Sequence, residues 1–428
     1  MARDSLYPNS VKAGKPNISP LPSGWVQATL DKYLQVENRR AKLKDDQEYD
    51  LVTVKRSRGG VVRREHLRGS DISVKSQFYI QEGDFLISKR QIVHGACGIV
   101  PKDLSGSIVS NEYCVITGKP NFHLPFIEYL SESLYFQQTC FHSSIGVHIE
   151  KMIFKLESWF KWPFNIPPLI EQKKITQILS TWDKAITTTE QLLANSQQQK
   201  KSLMQKLLTG KERLLDKSGD KFCGEWQEVN IGSTSKCFSG GTPSRTRDDY
   251  YGGSIPWITS GKLNDRYINS VNEHITEEGL KNSSTRLVKK ECILIAMYGA
   301  TAGKVALNKL EGATINQAVL ALEPKSDYHN IYLFYLLEAK MIKALNLVQG
   351  GQPNLNASII KSIKVNFPSF EEQQKIAAAL TTADHEITVL QQKIDALKQE
   401  KRGLMQQLLT GKRRVSIDSI KKKQATNA

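Results

Sequence analysis

The sequence predicts a mixed α/β chain with two globular domains, separated by two long helices that pair as a coiled-coil spacer in a pseudo-twofold internal repeat. Three observations carry this. The stretch 165–214 returns without a gap at 366–415, with 23 of 50 residues identical, far above chance. Each copy places apolar residues in alternating steps of four and three, which is a heptad seam. Trp25 and Trp226 stand at the same offset of 201 residues, so the repeat takes in what precedes each helix.

In order, residues 1–22 are rich in Pro, Asn, Ser and Lys and read as a flexible lead. The first domain spans 23–164. A short strand at 51–54 runs into Lys55-Arg56-Ser57-Arg58-Gly59-Gly60-Val61-Val62-Arg63-Arg64, where the Gly-Gly pair predicts a tight turn between strands. Across 55–68 six basic residues face one acid, Glu65. Such a run is either a solvated loop or a nucleic-acid contact. Gly83-Asp84-Phe85-Leu86-Ile87-Ser88-Lys89 reads as a turn into a buried strand, 113–116 as another strand, and 126–136 as a helix.

The central helix occupies 165–214, with its seam at Ile175, Leu179, Trp182, Ile186, Leu193, Leu203 and Leu207. Thr189, Ser196 and Lys200 fall in the same register and make its middle poor. Residues 215–225 form a polar linker and 226–365 the second domain. The C-terminal helix, 366–415, has its seam at Ile376, Leu380, Ile387, Leu390, Ile394, Leu397, Leu404 and Leu408. A basic tail occupies 416–428. Gly210 and Gly411 fit helix stops. About 38 residues at 1.5 Å each make a rod of about 57 Å. A lone heptad helix exposes its seam, so each copy needs a partner, and the other copy is the nearest. Two separate surface helices of a large globular protein remain the alternative. Inside the domains the echo is faint but ordered: Leu86-Ile87-Ser88 answers Leu294-Ile295-Ala296, and Phe126-Ile127-Glu128-Tyr129-Leu130 answers Tyr332-Leu333-Phe334-Tyr335-Leu336.

A formal charge of +16 over 428 residues points to a polyanionic partner, nucleic acid before membrane. No apolar run approaches the length that spans a bilayer. Met1-Ala2-Arg3-Asp4 lacks the core of a secretory signal. Six scattered cysteines with no C-x-x-C pair argue against a metal site and a disulfide framework and favour the cytoplasm. Gly299-Ala300-Thr301-Ala302-Gly303-Lys304 is one residue short of a phosphate loop, and Val305 stands where Ser or Thr would hold Mg²⁺. Asn165-Ile166-Pro167-Pro168 lacks the Asn-Pro-Pro-aromatic order of amino-methyltransferases. No catalytic residue is assigned.

Ser239-Gly240-Gly241-Thr242-Pro243-Ser244, Ile255-Pro256-Trp257-Ile258-Thr259-Ser260-Gly261, Met297-Tyr298-Gly299-Ala300-Thr301-Ala302-Gly303-Lys304, Asn316-Gln317-Ala318 and the Pro368 to Glu372-Gln373 stretch resemble the specificity subunit of a type I restriction–modification system. The Leu-Met-Gln-x-Leu-Leu-Thr-Gly-Lys helix ends add to the likeness, which is strong in the second domain and weaker in the first. It implies that each domain reads one half of a bipartite target on double-stranded DNA. The helices would set the gap and dock two modification subunits, which methylate adenine, and motor–nuclease restriction subunits would join them. S-adenosylmethionine, ATP and Mg would belong to those partners and none to this chain. A protein-binding coiled-coil scaffold, or a DNA-modifying enzyme with an unrecognised site, stay open.

Phosphate contacts favour Arg, Lys and backbone N–H, and base reading favours Arg, Lys, Asn and Gln. The DNA-contact candidates are Arg56, Arg58, Arg63, Arg64, Lys89 and Arg90 in the first domain. In the second they are Ser244, Arg245, Arg247, Lys262, Tyr298 and Lys304. For each, plain solvation is the alternative. Gly240, Gly241, Gly350 and Gly351 are assigned to turns, and Trp257 to the core.

Overall fold

The computed structural model describes residues 16–347 and 355–415. Residues 1–15 of the lead, Gly350, Gly351 and the 416–428 tail lie outside the described residues. The chain divides into two compact units, Met1–Thr189 with Lys393–Ala428, and Glu190–Gln392. Each long helix therefore contributes one half to each unit.

In the first unit a four-stranded sheet runs in the order Leu34–Val36, Tyr113–Gly118, Phe85–Ser88, Cys97–Ile99. Phe85–Ser88 is buried along its whole length, as a central strand covered on both faces must be. A five-stranded sheet runs Arg40–Ala41, Gln77–Tyr79, Ile108–Ser110, Glu48–Val54, Val61–Arg68. The strand expected at 51–54 is thus longer, at Glu48–Val54. The helical stretch expected at 126–136 is two helices, Pro125–Glu132 and Leu134–His142. Ser133 breaks them with an extended backbone, and its hydroxyl accepts the Phe136 N–H at 3.2 Å as an N-cap.

The second unit repeats the plan. Its five-stranded sheet runs Ser235–Ser239, Val319–Pro324, Ile293–Ala296, Val305–Asn308, Tyr267–Ile268, with Ile293–Ala296 buried throughout. The added edge strand Tyr267–Ile268 pairs in parallel with Val305–Asn308. A four-stranded sheet, Glu273–Ile275, Tyr251–Ile258, Ala313–Ile315, Arg286–Val288, completes it. Helix Asn330–Leu347 stands where Pro125–Glu132 stands in the first unit.

The central helix is Leu169–Leu207 and the C-terminal helix Phe370–Leu409, of 39 and 40 residues. In the first unit Ile175 and Leu179 share one core with Met405, Leu408 and Leu409. In the second, Leu207 and Leu208 share one with Ile376, Ala377 and Leu380. The start of one helix meets the end of the other each time, so the halves run antiparallel in each unit. Ile186 and Ile394 are also buried. Trp182, Leu193, Leu203, Ile387, Leu390, Leu397 and Leu404 are only partly covered. Burial is deepest at the helix ends because the globular core closes over the pair there. The polar seam residues Thr189 and Ser196 are buried too.

The repeated Glu-Gln pair and the repeated arginine after each helix form one clasp, built twice. Glu171 is fully buried and takes both the Arg414 guanidinium, at 2.9 Å to each oxygen, and the Trp25 indole N–H at 3.0 Å. Glu372 takes the Arg213 guanidinium at 2.6 Å to each oxygen. Arg414 lies over Trp25 and Arg213 over Trp226. Gln172 and Gln373 each accept a backbone N–H at 2.8 Å, from His123 and His329. They also donate to the Pro167 and Pro368 carbonyls. Gly210 and Gly411 end the helices with φ of 70° and 68°, the left-handed region that glycine occupies without strain.

Candidate nucleic-acid interface

In both units loops gather where the buried central strand ends. In the first, the strand Phe85–Ser88 leads into the loop 89–95. The Phe154 N–H donates to the Lys89 carbonyl at 2.8 Å, and the Ser57 and Arg58 N–H groups donate to the His94 and Gly95 carbonyls at 2.7 and 2.9 Å. These bonds bring together the turn 55–60, the loop 89–95 and the small hairpin Ser144–Ile145 with Ile153–Phe154. In the second unit the Leu355 N–H donates to the Met297 carbonyl at 2.9 Å, the counterpart of the Phe154–Lys89 bond. The Met297 N–H reaches the Ala318 carbonyl, and the Gly241 N–H the Ile315 carbonyl. Segments 240–244, 297–304 and 316–318 therefore meet.

The first-unit hairpin differs from the tight Gly-Gly turn. Ser57 and Arg58 take φ of 54° and 56°, and Gly60 takes 81°, so the reversal uses the whole 55–60 stretch. The partners of Leu51 and Val52 are Glu65 and Arg63, which leaves Arg64 as the extra residue of a β-bulge. A bulge re-aims side chains. On this edge strand Arg63, Arg64, Glu65 and His66 are all exposed.

The candidates are placed as follows. Arg56 pairs with Glu150 at 2.7 Å and with Gln91. Arg58 turns inward, donating to the Ser131 carbonyl at 3.0 Å and lying against Gly95. Arg63 pairs with Asp50 at 3.0 Å and Arg64 with Glu65 at 3.2 Å. Lys89 donates to the Asn111 carbonyl, and Arg90 grips Glu112 with two bonds. Ser244 meets the Thr246 hydroxyl at 2.9 Å. Arg245 pairs with Glu273 at 2.8 Å and stacks over Tyr251 and Trp257. Arg247 grips Asp249 and covers Tyr250. Lys262 pairs with Asp265 at 2.7 Å. Tyr298 and Lys304 are exposed. Exposed pairs of this kind contribute only about 0–1 kcal/mol, so a phosphate can displace the carboxylate, and Arg245 and Arg247 are also held by the rings beneath them.

Trp257 is 2% exposed, a core residue that serves as the floor for Arg245. Gly240 and Gly241 are not turn glycines, since neither has a positive φ. A Cβ would lie 1.8 Å from the Ile315 carbonyl oxygen at Gly240 and 2.0 Å from Ser284 Oγ at Gly241. Close backbone packing demands them. In the Gly299–Thr301 turn, Ala302 N–H bonds the Gly299 carbonyl and Lys304 N–H the Thr301 carbonyl, so these donors are spent inside the turn.

Sequence reasoning passed over three features. Thr242 Oγ1 donates to Gln317 Oε1, which ties two loops and fixes an exposed amide; only its position in Asn316-Gln317-Ala318 pointed to it. The carboxylates Asp50, Glu112, Glu150 and Glu273 give no local signal, because each lies 13 or more residues from its arginine. His66 bonds Asp50 at 2.7 Å and Glu48 at 3.1 Å. These bonds, Asp50 first, hold its imidazole above the ordinary range. Burial pushes the thiols of Cys97 and Cys114 up to about 11 and that of Cys292 to about 12, which leaves them protonated and unreactive. Among the described residues no cluster of His, Cys, Asp and Glu could hold a metal, and no helix is long and apolar enough to cross a membrane.

A sequence profile described as "Type I restriction modification DNA specificity domain" matches residues 22–195 and 224–399. The MjaIX specificity subunit of Methanocaldococcus jannaschii is 36% identical over 166 residues, 37% of this chain and 38% of that protein. The EcoR124I/EcoR124II specificity subunit of Escherichia coli is 29% identical over 223 residues, 50% of this chain and 52% of that protein. The chain thus spans about two-fifths to one-half of these relatives' length. Among solved structures, the HsdS subunit from Thermoanaerobacter tengcongensis aligns with a TM-score of 0.51 and 18% identity over 91% of this chain and 98% of that one. The S subunit from M. genitalium aligns with a TM-score of 0.55 and 14% identity over 90% and 96%.

Proposed function

The chain belongs to the type I restriction–modification DNA specificity family, and from that membership we propose that it is the sequence-reading subunit of a DNA-modifying complex. Each unit reads one half of a bipartite duplex target, and the helices set the gap between the halves. One observation carries this: the same plan is built twice, and in each copy loops bearing basic side chains meet beyond the end of the same buried strand, with Arg56, Lys89 and Arg90 in the first and Lys304 in the second. A twice-built reader with different loops fits a target of two different halves.

The chemistry asked of this chain is binding. Arg63, Arg64, Arg90, Arg245 and Arg247 exchange carboxylates for phosphates, which fixes register on the duplex. Amides and guanidiniums then meet base edges, and the amide of Gln317 has the donor–acceptor pair that suits adenine. Methyl transfer and cleavage fall to partners. Two modification subunits docked on the helices would use S-adenosylmethionine. Motor–nuclease subunits would use ATP and Mg.

The test uses the purified chain with and without a modification subunit. Adenine methylation at a two-part target is expected only with both. Methyl transfer by the chain alone would overturn the non-catalytic assignment. DNA affinity that is absent or insensitive to salt would instead favour a protein-binding scaffold.

A further inference from the structure

A cluster of charged and phenolic side chains beside each helix pair is not used by the DNA-contacting surface, and it occurs twice. In the first unit the Tyr129 hydroxyl donates to Asp183 Oδ2 at 2.9 Å. Lys401 Nζ meets Asp183 Oδ1 at 2.7 Å and Glu132 at 3.6 Å. Its ammonium also stands 5.4 Å from the centre of the Tyr129 ring. In the second unit the Tyr335 hydroxyl donates to Asp384 Oδ2 at 2.5 Å. Lys200 pairs with Asp384 and stands 5.5 Å from the centre of the Tyr335 ring. Asp183 and Asp384, like Lys200 and Lys401, are 201 positions apart. In each unit the tyrosine comes from the globular domain, the aspartate from the starting half of one long helix, and the lysine from the ending half of the other.

Such a three-element junction does something the apolar seam cannot. Hydrophobic contact is non-directional. The clasp already adds directional bonds at one end of each helix pair, from Trp25 and His123 in the first unit and from His329 in the second. The junction adds a second such tie further along the helix, which is what fixes a rotation. A hydrogen-bonded ion pair is directional, and polar groups of this kind act best as registry devices rather than as sources of stability. Roll matters for a two-part target, because one base pair turns the duplex by about 35°. A recognition surface that rolls by this amount faces the neighbouring gap length.

We propose that Asp183 and Asp384 are positioning residues that fix the rotation of each recognition domain about its helix pair and thereby hold the gap between half-sites to one length. The proposal rests on the DNA-reading function above. The two junctions are not equal. Arg266, on the second unit's added edge strand side, bonds Glu338 at 2.5 and 2.6 Å and Asp384 at 2.5 Å. It therefore ties domain to helix independently of Tyr335. The first-unit carboxylates Asp183 and Glu132 share Lys401. In the first junction the domain tie that remains without the tyrosine bond is the longer Lys401–Glu132 pair, at 3.6 Å, so this junction loosens more than the second when its tyrosine bond is cut.

The experiment uses the full chain with its modification subunit and S-adenosylmethionine on a DNA library. One half of the library keeps both half-sites constant and varies the gap by single base pairs, the other keeps the gap and varies the half-sites, and methylated adenines are mapped by sequencing. Tyr129→Phe removes one hydroxyl and keeps the ring; Asp183→Asn removes the charge. Both are expected to lower the preference for the wild-type gap over its neighbours by about tenfold, equivalent to ~1.4 kcal/mol, with unchanged half-site bases. Tyr335→Phe is expected to change it less, because Arg266 remains. If Asp183→Asn does not fold, Tyr129→Phe decides. An active Tyr129→Phe complex with the wild-type gap preference overturns the proposal, as does a change in half-site bases. A wild-type complex that methylates no two-part target overturns the DNA-reading function itself, and the positioning role with it.

Discussion

At the scale of single residues, the proposed interface is one of exchange, carboxylate for phosphate. Asp50 is shared by Arg63 at 3.0 Å and His66 at 2.7 Å, so one carboxylate orients two basic side chains on one strand. Arg64, the extra residue of the bulge, is exposed beside Arg63 on the same edge strand. Each phosphate neutralised contributes about 0.9 to the slope of log affinity against log salt. Replacing Arg63 and Arg64 with alanine is therefore expected to weaken DNA binding and to reduce that slope by about 2, read from titrations at several salt concentrations. An unchanged slope removes both from the interface. The same carboxylate sets a pH dependence. His66 is raised in the folded chain by its bonds to Asp50 and then Glu48. Its contribution to stability is thus fully present below the ordinary histidine value of about 6.5, and it is lost as pH rises through the raised value. Asp50→Asn is expected to bring the His66 midpoint down, measured by proton NMR; a midpoint that stays put assigns the shift elsewhere.

At the scale of elements, a clasp with a fully buried glutamate closes each helix pair. Glu372 is fully buried while its partner Arg213 keeps a side-chain exposure of 21%. Truncating one partner of a buried pair costs about 3–5 kcal/mol because the other charge is stranded, and the partial exposure of Arg213 puts Glu372→Ala near the lower end, at about 3 kcal/mol. Chemical denaturation checks this, and a loss below about 1 kcal/mol would make the pair a surface feature. The clasp also shows what was legible beforehand. Glu171, Gln172, Arg213 and their counterparts at 372, 373 and 414 appear in the sequence as identities at one offset, and the heptad steps located the helices but not their ends: the repeats 165–214 and 366–415 open in the strands Pro163–Ile166 and Lys364–Phe367, and the helices stop at Leu207 and Leu409. Their pairing was hidden, because Arg414 and Glu171 lie 243 residues apart and nothing local joins them. The same holds for Tyr129 with Asp183. The bulge was hidden for another reason. Val-Val-Arg-Arg-Glu reads as ordinary alternation broken by a solvated run, and only the opposing strand shows where the extra residue falls. Gly240 and Gly241 were misassigned to turns because close packing and positive φ both call for glycine.

At the scale of the whole molecule, the proposed function makes the long helices the link between half-site reading and gap length, and the central helix offers one place to test it. The weak seam first draws attention to 194–201, but two residues there are engaged. The Ser196 hydroxyl donates to Glu386 at 3.0 Å, and Lys200 pairs with Asp384. An insertion after Ser196 would separate these contacts from each other. The stretch 190–195 precedes both and begins where the first unit's share of the helix ends. Four residues added there lengthen the helix by about 6 Å and turn its C-terminal half by roughly 40° beyond a full revolution. One base pair advances about 3.4 Å and turns about 35°. The rotation matches one base pair, while the length allows nearly two. Rotation decides, because a recognition surface aimed at the wrong groove position loses its base-edge bonds, whereas a few ångströms of length can be absorbed by long Arg and Lys side chains. The four-residue variant, combined with its modification subunit, is therefore expected to methylate a target with both half-sites unchanged and a gap one base pair longer. Two residues at the same place turn the C-terminal half by about 200°, carry its seam to the far side and are expected to abolish activity. Mapping methylated sites in both variants is the check: an active four-residue variant with the original gap would mean that the rods do not set the spacing.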